Sequence, residues 1–264
     1  MQQTQLALDD IFSGIASWRI WLLLSWQDIR LRYRRSQLGP FWITISMAIT
    51  IYTMGFLYGH LFKQNLKFYF PYLASGMLIW ALISTIINES TRAFIESEGY
   101  LKQIKTPFSI YIMRMVSRNF IIFLHNIVVL VPIIIYFHVP ITWHVLMVFF
   151  GLFMILLNGF IYGMLFAMLG ARYRDIAVII QNLIQVAFFL TPIMWMPSIL
   201  SNQKLDWIFK VNPFAQFIDI ARAPLIGETV SWYTINFNIA CALFGILVVF
   251  FIFKSFRRRI VYWI

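Results

Sequence analysis

Between Asn119 and Ala171 the chain carries no aspartate, glutamate, lysine or arginine. A charge-free run of that length has no polar face to offer water. It is also too long for one crossing of a bilayer, which needs roughly 20 apolar residues. The Tyr-Phe-His-Val-Pro step ending at Pro140 is the natural turn between two crossings. Four further charge-free runs, Ser36–Phe62, Phe68–Asn88, Ile176–Gln203 and Thr229–Phe253, repeat the pattern, in a chain that is 61% hydrophobic and 12% charged. Because backbone groups in hydrocarbon must be satisfied within the segment, these runs read as helices. The expectation is an all-α polytopic membrane protein forming one transmembrane domain over 1–264, with six transmembrane helices at 36–62, 68–90, 108–137, 142–171, 176–196 and 229–253.

Basic residues orient such a chain, because short cytoplasmic segments retain lysine and arginine. Six spans with the N-terminus inside put 16 of the 21 lysines and arginines on the inner side, from Arg19 to Arg35, Arg92 to Arg118, Arg172 to Arg174 and Lys254 to Arg259. Both termini are therefore expected in the cytoplasm. The first 35 residues hold Asp9, Asp10, Asp28 and an arginine cluster, with no short apolar core before a small-residue cleavage site, so no cleaved signal peptide is expected.

Before the first span, Ile11, Ile15, Trp18, Leu22, Trp26, Ile29 and Tyr33 recur at helical steps. Residues 8–35 thus read as an amphipathic helix on the inner membrane surface, the alternative being a helix docked on the protein itself. The cluster Arg30, Arg32, Arg34 and Arg35 ends it, and Phe41-Trp42 begins the first span beyond Gly39-Pro40. Two connections are longer than turns. Residues 92–107 are inner and mixed in charge; residues 197–228 are outer and half apolar. In the latter, Phe214, Phe217, Ile218, Ala221 and Leu225 share a helical face and Asp219 precedes Arg222 by three, as in a short re-entrant helix.

Several function classes lack their chemistry. The net charge of +11 sits in compact clusters between apolar runs, unlike the continuous basic face of a nucleic-acid binder. No span holds a carboxylate or lysine at depth, which disfavours proton or sodium coupling. His125 reads as a packing residue and Cys241 as buried filler. Glu89, Glu96, Glu98 and Asp175 read as solvated interface charges, although they leave open a membrane-embedded glycan-processing enzyme. No metal-binding arrangement, nucleophile motif or phosphate-cradling loop occurs, so no cofactor is expected on this chain, and ATP would have to be bound by another.

Aromatic residues are 19% of the chain. Phe41, Trp42, Tyr52, Phe56 and Tyr58 in the first span and Phe188, Phe189 and Trp195 in the fifth are candidates to line a conduit, since ring faces pack against the C–H faces of sugars without demanding one hydroxyl pattern. Gly55, Gly59, Gly159, Gly163, Ala167 and Ala171 place small residues at four-residue spacing, which permits close helix packing and a homodimer.

RYRRSQLGPFW entering the first span, FPYLASGMLIW (Phe70 to Trp80) in the second, ARYRDI (Ala171 to Ile176) and NPFAQFIDIAR (Asn212 to Arg222) together resemble the membrane subunits of bacterial ABC transporters that export surface polysaccharide, the O-antigen, capsule and teichoic acid exporters. The resemblance covers nearly the whole chain and implies an inner-membrane permease that is not itself an enzyme. The resemblance further implies a homodimer with two separate ATP-binding subunits, which would hold ATP and Mg. The cargo it implies is an undecaprenyl-linked polysaccharide, O-antigen type first and capsule or teichoic acid as alternatives. By the same resemblance, Glu96, Glu98, Tyr100, Lys102 and Lys105 belong to a helix that docks on the ATPase. Asn212, Pro213, Phe214, Phe217 and Arg222 belong to gate helices at the periplasmic mouth. Arg30, Arg32, Arg34 and Arg35 are candidates to attract the lipid pyrophosphate.

Overall fold

The computed structural model describes residues 2–32, 34, 37–39, 41–197 and 210–264. Arg35 of the basic cluster and residues 198–209 of the expected gate segment lie outside the described residues. Among the described residues every regular element is helical.

Two short helices precede the bundle, α1 (Gln2–Ala16) and α2 (Trp18–Arg32), divided at Ser17 where a single helix was expected. Their buried side holds the small or polar Ala7, Asp10, Gly14 and Ser25, joined by Ile29 from the expected apolar stripe. The stripe of Ile15, Trp18, Leu22 and Trp26 is exposed instead. The helices dock on the protein through this side and leave most of the apolar stripe uncovered.

The bundle runs α3 (Phe41–Leu61), α4 (Leu66–Ser90), α5 (Ala93–Glu96), α6 (Glu98–Gln103), α7 (Ser109–Asn126), α8 (Leu130–Phe137), α9 (Met147–Arg172), α10 (Ile176–Leu190), α11 (Pro213–Leu225), α12 (Trp232–Phe256) and α13 (Ile260–Trp263). A 3-10 turn at Ile127–Val129 joins α7 to α8 just ahead of Pro132, whose ring cannot accept an ordinary preceding turn.

The expected count of six spans is corrected. Five helices among the described residues are long and apolar enough to cross a membrane: Phe41–Leu61, Leu66–Ser90, Ser109–Phe137, Trp143–Arg172 and Trp232–Trp263. The run expected to cross at 176–196 yields only α10, 15 residues long, about 22 Å at 1.5 Å per residue against a hydrocarbon core of about 30 Å. Its stop has a local cause. A residue before proline is pushed out of the helical region, and Thr191, ahead of Pro192, sits at φ −93 and ψ 136. Hydropathy counted Thr191 to Met196 as span, whereas the chain there is turns and bends.

The helix α4 forms the centre, packed by α3, α7, α9 and α11. Close crossings rest on glycine: a methyl on Gly170 would stand 1.8 Å from the Thr91 carbonyl oxygen, and one on Gly151 would stand 2.5 Å from that of Ile220. Gly55 faces Phe70, Gly59 faces Leu66, and Gly159 and Gly163 face Ile86 and Ile112. The small-residue series is thus filled by helices of the same chain. Asp10 of α1 takes Arg257 Nε and Nη2 at 3.0 and 2.8 Å and the Ser109 backbone N–H at 3.2 Å, which ties both ends of the chain to the start of α7.

Candidate functional site

A groove of about 630 Å³ opens between α3, α4 and α7. Arg32 stands at one end, Trp42 and Trp80 supply aromatic wall, and Ser46, Thr50, Ser84, Thr85 and Asn126 supply polar groups among Ile43, Met47 and Met77. The hydroxyls follow helical spacing, Ser46 and Thr50 on α3, Ser84 and Thr85 one turn beyond Ala81 on α4. Thr50 donates to the Ser46 carbonyl at 2.9 Å and Thr85 to that of Ala81 at 2.6 Å, leaving oxygen lone pairs able to accept. Asn126 is 5% exposed, and its Oδ1 has no hydrogen-bond partner among the described residues. Such a wall can accept and donate hydrogen bonds in several places while packing apolar faces.

Beneath the Arg32 end lies a carboxylate–guanidinium network. Asp28 of α2 accepts from Arg114 Nε at 2.8 Å and from Arg118 Nη1 at 2.7 Å. Glu89, in the last turn of α4, accepts from Arg118 Nη2 at 2.8 Å and Asn119 Nδ2 at 2.6 Å, both through Oε2. Its Oε1 faces Arg32 Nη2 at 3.6 Å. Burial opposes ionisation of Asp28, but the hydrogen bonds and charge of Arg114, with those of Arg118, outweigh it and hold the carboxyl below the usual aspartate range. The network joins α2, α4 and α7. Glu89, expected as a solvated charge, is therefore a structural anion.

The same end carries the segment 92–107 as two short helices, α5 and α6. Phe94 and Leu101 anchor it in the core, while Glu96, Tyr100, Lys102, Ile104 and Lys105 are exposed. Lys102 pairs with Glu98 at 2.7 Å, and the ammonium holds the Glu98 carboxyl below its usual range. Arg114 lies over the Tyr100 ring, 5.9 Å from its centroid, which links this segment to the network.

At the opposite end α11 begins with Asn212, whose Oδ1 accepts the Phe214 N–H at 2.9 Å, and with Pro213 in the first turn, a position that needs no donor. The helix packs into the bundle against α4, α9 and α12. Arg222 is 3% exposed, pairs with Asp219, and lies 4.0 Å above the Tyr72 ring. Its Nη1 donates to the Pro192 carbonyl at 2.7 Å, and Tyr72 donates to the same oxygen at 2.9 Å. Asp219, despite burial of its partner, keeps Arg222 firmly protonated.

The structure divides the expected conduit residues. Trp42 lines the groove, whereas Tyr52 meets Phe70, Phe56 meets His60 and Tyr58 stacks on Phe62. Phe41 is 68% exposed. Phe188 joins Trp80 and, through it, Phe214, with ring centroids 5.8 and 5.5 Å apart. Phe189 abuts Phe188, and Trp195 Nε1 donates to the Phe189 carbonyl at 3.3 Å. Phe214 and Phe217 border an apolar cavity of about 170 Å³ with Ile83 and Tyr162. Arg30, Arg32 and Arg34 are exposed at the basic end. Sequence reasoning missed Trp80, the hydroxyl pairs and the network of Asp28, Glu89, Arg114 and Arg118. The Ser46/Thr50 spacing was a usable signal; the pairing of Asp28 with residues far along the chain was not.

Among the described residues no group of three or more His, Cys, Asp or Glu side chains could hold a metal ion. Residues 19–226 match the model of a family described as ABC-2 type transporter. The chain is 22% identical over 239 residues to O-antigen export system permease protein RfbA of Klebsiella pneumoniae, covering 88% of this chain and 90% of that one. A protein of the same description from Myxococcus xanthus is 22% identical over 205 residues, 75% of this chain and 76% of the other.

Proposed function

The chain belongs to the ABC-2 type transporter family as a multi-pass permease of the bacterial inner membrane, and from that premise we propose that it is the transmembrane subunit of an ATP-driven exporter of lipid-linked O-antigen or a similar polysaccharide. It works as a homodimer with two ATP-binding subunits, taking cargo from the cytoplasmic side to the periplasm. The observation that carries this reading is the groove, with hydroxyls and two tryptophans along its wall and a guanidinium at its mouth. Hydroxyl pairs and ring faces suit a repetitive glycan, and a cation at the entrance suits the phosphate of its lipid carrier. The near full-length similarity to O-antigen export permeases supports the choice of cargo.

In this reading the basic end faces the cytoplasm and the exposed side of α5 and α6, with Glu96, Glu98, Tyr100, Lys102 and Lys105, meets the ATPase. The aromatic side chains of α3 and α10 face the conduit or the second copy. Asn212 to Arg222 form part of the periplasmic gate.

Copurification tests it. An ATP-hydrolysing chain should come down with the permease, and inverted vesicles holding both should take up lipid-linked polysaccharide on ATP addition. Lys102→Glu with Lys105→Glu should cut permease-stimulated ATP hydrolysis by about tenfold, as expected for like-charge placement at an interface, while the permease still inserts. Uptake without any ATPase chain would sink the proposal.

A further inference from the structure

In the set of side chains linked by ion pairs beneath the groove, three guanidiniums, Arg32, Arg114 and Arg118, meet two carboxylates, Asp28 and Glu89. The contacts are unequal. Asp28 is bonded tightly from two sides, and Glu89 Oε2 is engaged by Arg118 and Asn119 within 2.8 Å. Arg32 is the loose member: it approaches Glu89 Oε1 at 3.6 Å, beyond hydrogen-bond length, and its side chain is 51% exposed against 12% for Arg118. It is also the member that lines the groove. The surplus positive charge of the network is thus presented where a ligand would enter, on the cation least committed to its partner.

We propose that Glu89 is a competitor at the groove mouth: it holds Arg32 in a loose ion pair that a phosphate-bearing lipid head group takes over on entering. The inference rests on the reading of the groove as the path of a lipid-linked cargo. Glu89 has the means to do this without being lost from the fold, because Arg118 and Asn119 fix its other oxygen. The exchange is also connected to the ATPase-facing surface, since Glu89 stands two residues before Thr91 and one turn before α5, and Arg118 shares Asp28 with Arg114, which lies over Tyr100. A head group that draws Arg32 away leaves Glu89 to Arg118 and Asn119, so occupancy of the mouth alters the charge balance at the junction of α2, α4 and α7.

The test titrates geranylgeranyl diphosphate against the full chain in phosphatidylcholine nanodiscs, with inorganic pyrophosphate as the parallel probe. A mere structural anion, once removed, would weaken binding or leave it unchanged; a competitor, once removed, tightens it. E89Q should tighten lipid diphosphate binding about fivefold, the scale of a half-exposed ion pair, and R32Q should weaken it by a similar factor. In the R32Q background E89Q should give no gain. A gain of equal size with and without Arg32, no gain at all, or a loss would overturn the proposal. Inorganic pyrophosphate binding as tightly as the lipid would overturn the assignment to a lipid head group. If E89Q fails to fold, E89D, which withdraws the carboxylate by one methylene, should tighten binding in the same sense and answers the same question. Uptake into vesicles with the ATPase chain is measured separately: uptake intact with no E89Q gain removes this inference and leaves the transport reading standing.

Discussion

At the basic end the helices are joined by carboxylates and guanidiniums that share partners, Asp28 with Arg114 and Arg118, Arg118 with Asp28 and Glu89. At the opposite end a single buried guanidinium, Arg222, joins the hydroxyl of Tyr72 on one carbonyl oxygen, that of Pro192, freed where α10 stops short. The first arrangement is redundant and close to water; the second is concentrated and buried. In a network with shared partners the shared member keeps a counter-ion when one carboxylate is lost: without Asp28, Arg118 still has Glu89, while Arg114, 18% exposed, turns to water. A lone buried cation has no such substitute: without Arg222 the half-exposed Asp219 carboxylate turns to water and the Pro192 carbonyl keeps only the Tyr72 hydroxyl. The difference suits an end proposed to bear on another subunit and an end that holds a broken helix in place.

Breaking the concentrated end should show most. Arg222→Ala empties the buried space over the Tyr72 ring, leaves the half-exposed Asp219 without its cation and Pro192 with one donor fewer, and should cost about 2 kcal/mol of stability, read as a lowered thermal midpoint in detergent. An unchanged midpoint would mean that packing of α11 on α9, through Gly151, holds α11 without help from charge.

At the redundant end Asp28→Asn should cost less, about 1 kcal/mol, because Arg118 retains Glu89. Here pH separates charge from shape. The Asp28 carboxyl is held below its ordinary value in the fold, so its contribution is complete above the unfolded value of about 3.9 and is lost as pH falls through the lowered folded value. The gap between the two midpoints should therefore stay constant from pH 5 to 7, taken as about one unit and more above that value, and the acid decline below it should be shallower in the Asn variant. Parallel acid declines in the two proteins would show that Asp28 is not the group that titrates.

How much of this was legible in the sequence follows from the range of the interactions. The charge-free runs identified the long helices α3, α4, α7 with α8, α9 and α12, because hydrocarbon imposes a length and a composition on each segment locally. The same signal overcounted at Thr191 to Met196, where apolar residues around two prolines look like span but cannot continue a helix; the pre-proline restriction at Thr191 was the correct local clue. The amphipathic segment before the first span was recognised from its stripe, but not that its polar side, Asp10, Gly14, Ser25 and Asp28, would be the docking face. Asp28 and Arg114 are distant along the chain, and nothing in either neighbourhood names the other. For the groove, Trp42 and Arg32 were visible as an aromatic and a basic residue flanking a turn. Trp80 was not singled out, because a tryptophan in an apolar run reads equally well as core.

The smallest expected effect is the sharpest probe of the concentrated end. Tyr72→Phe removes one donor to the Pro192 carbonyl but keeps the ring beneath Arg222, 4.0 Å from its guanidinium carbon, and keeps Arg222 Nη1 on the same oxygen. The acceptor stays satisfied and nothing charged is stranded, so the cost should be about 0.5 kcal/mol, the low end for a lost hydrogen bond. Tyr69→Phe is the matched control, since its hydroxyl donates to Met194 two residues further along the broken segment. If Tyr72→Phe instead costs as much as Arg222→Ala, the hydroxyl and the guanidinium act as one unit. The opposite end would then be a coupled network like the basic end, and the contrast between a shared and a solitary anchor would fail.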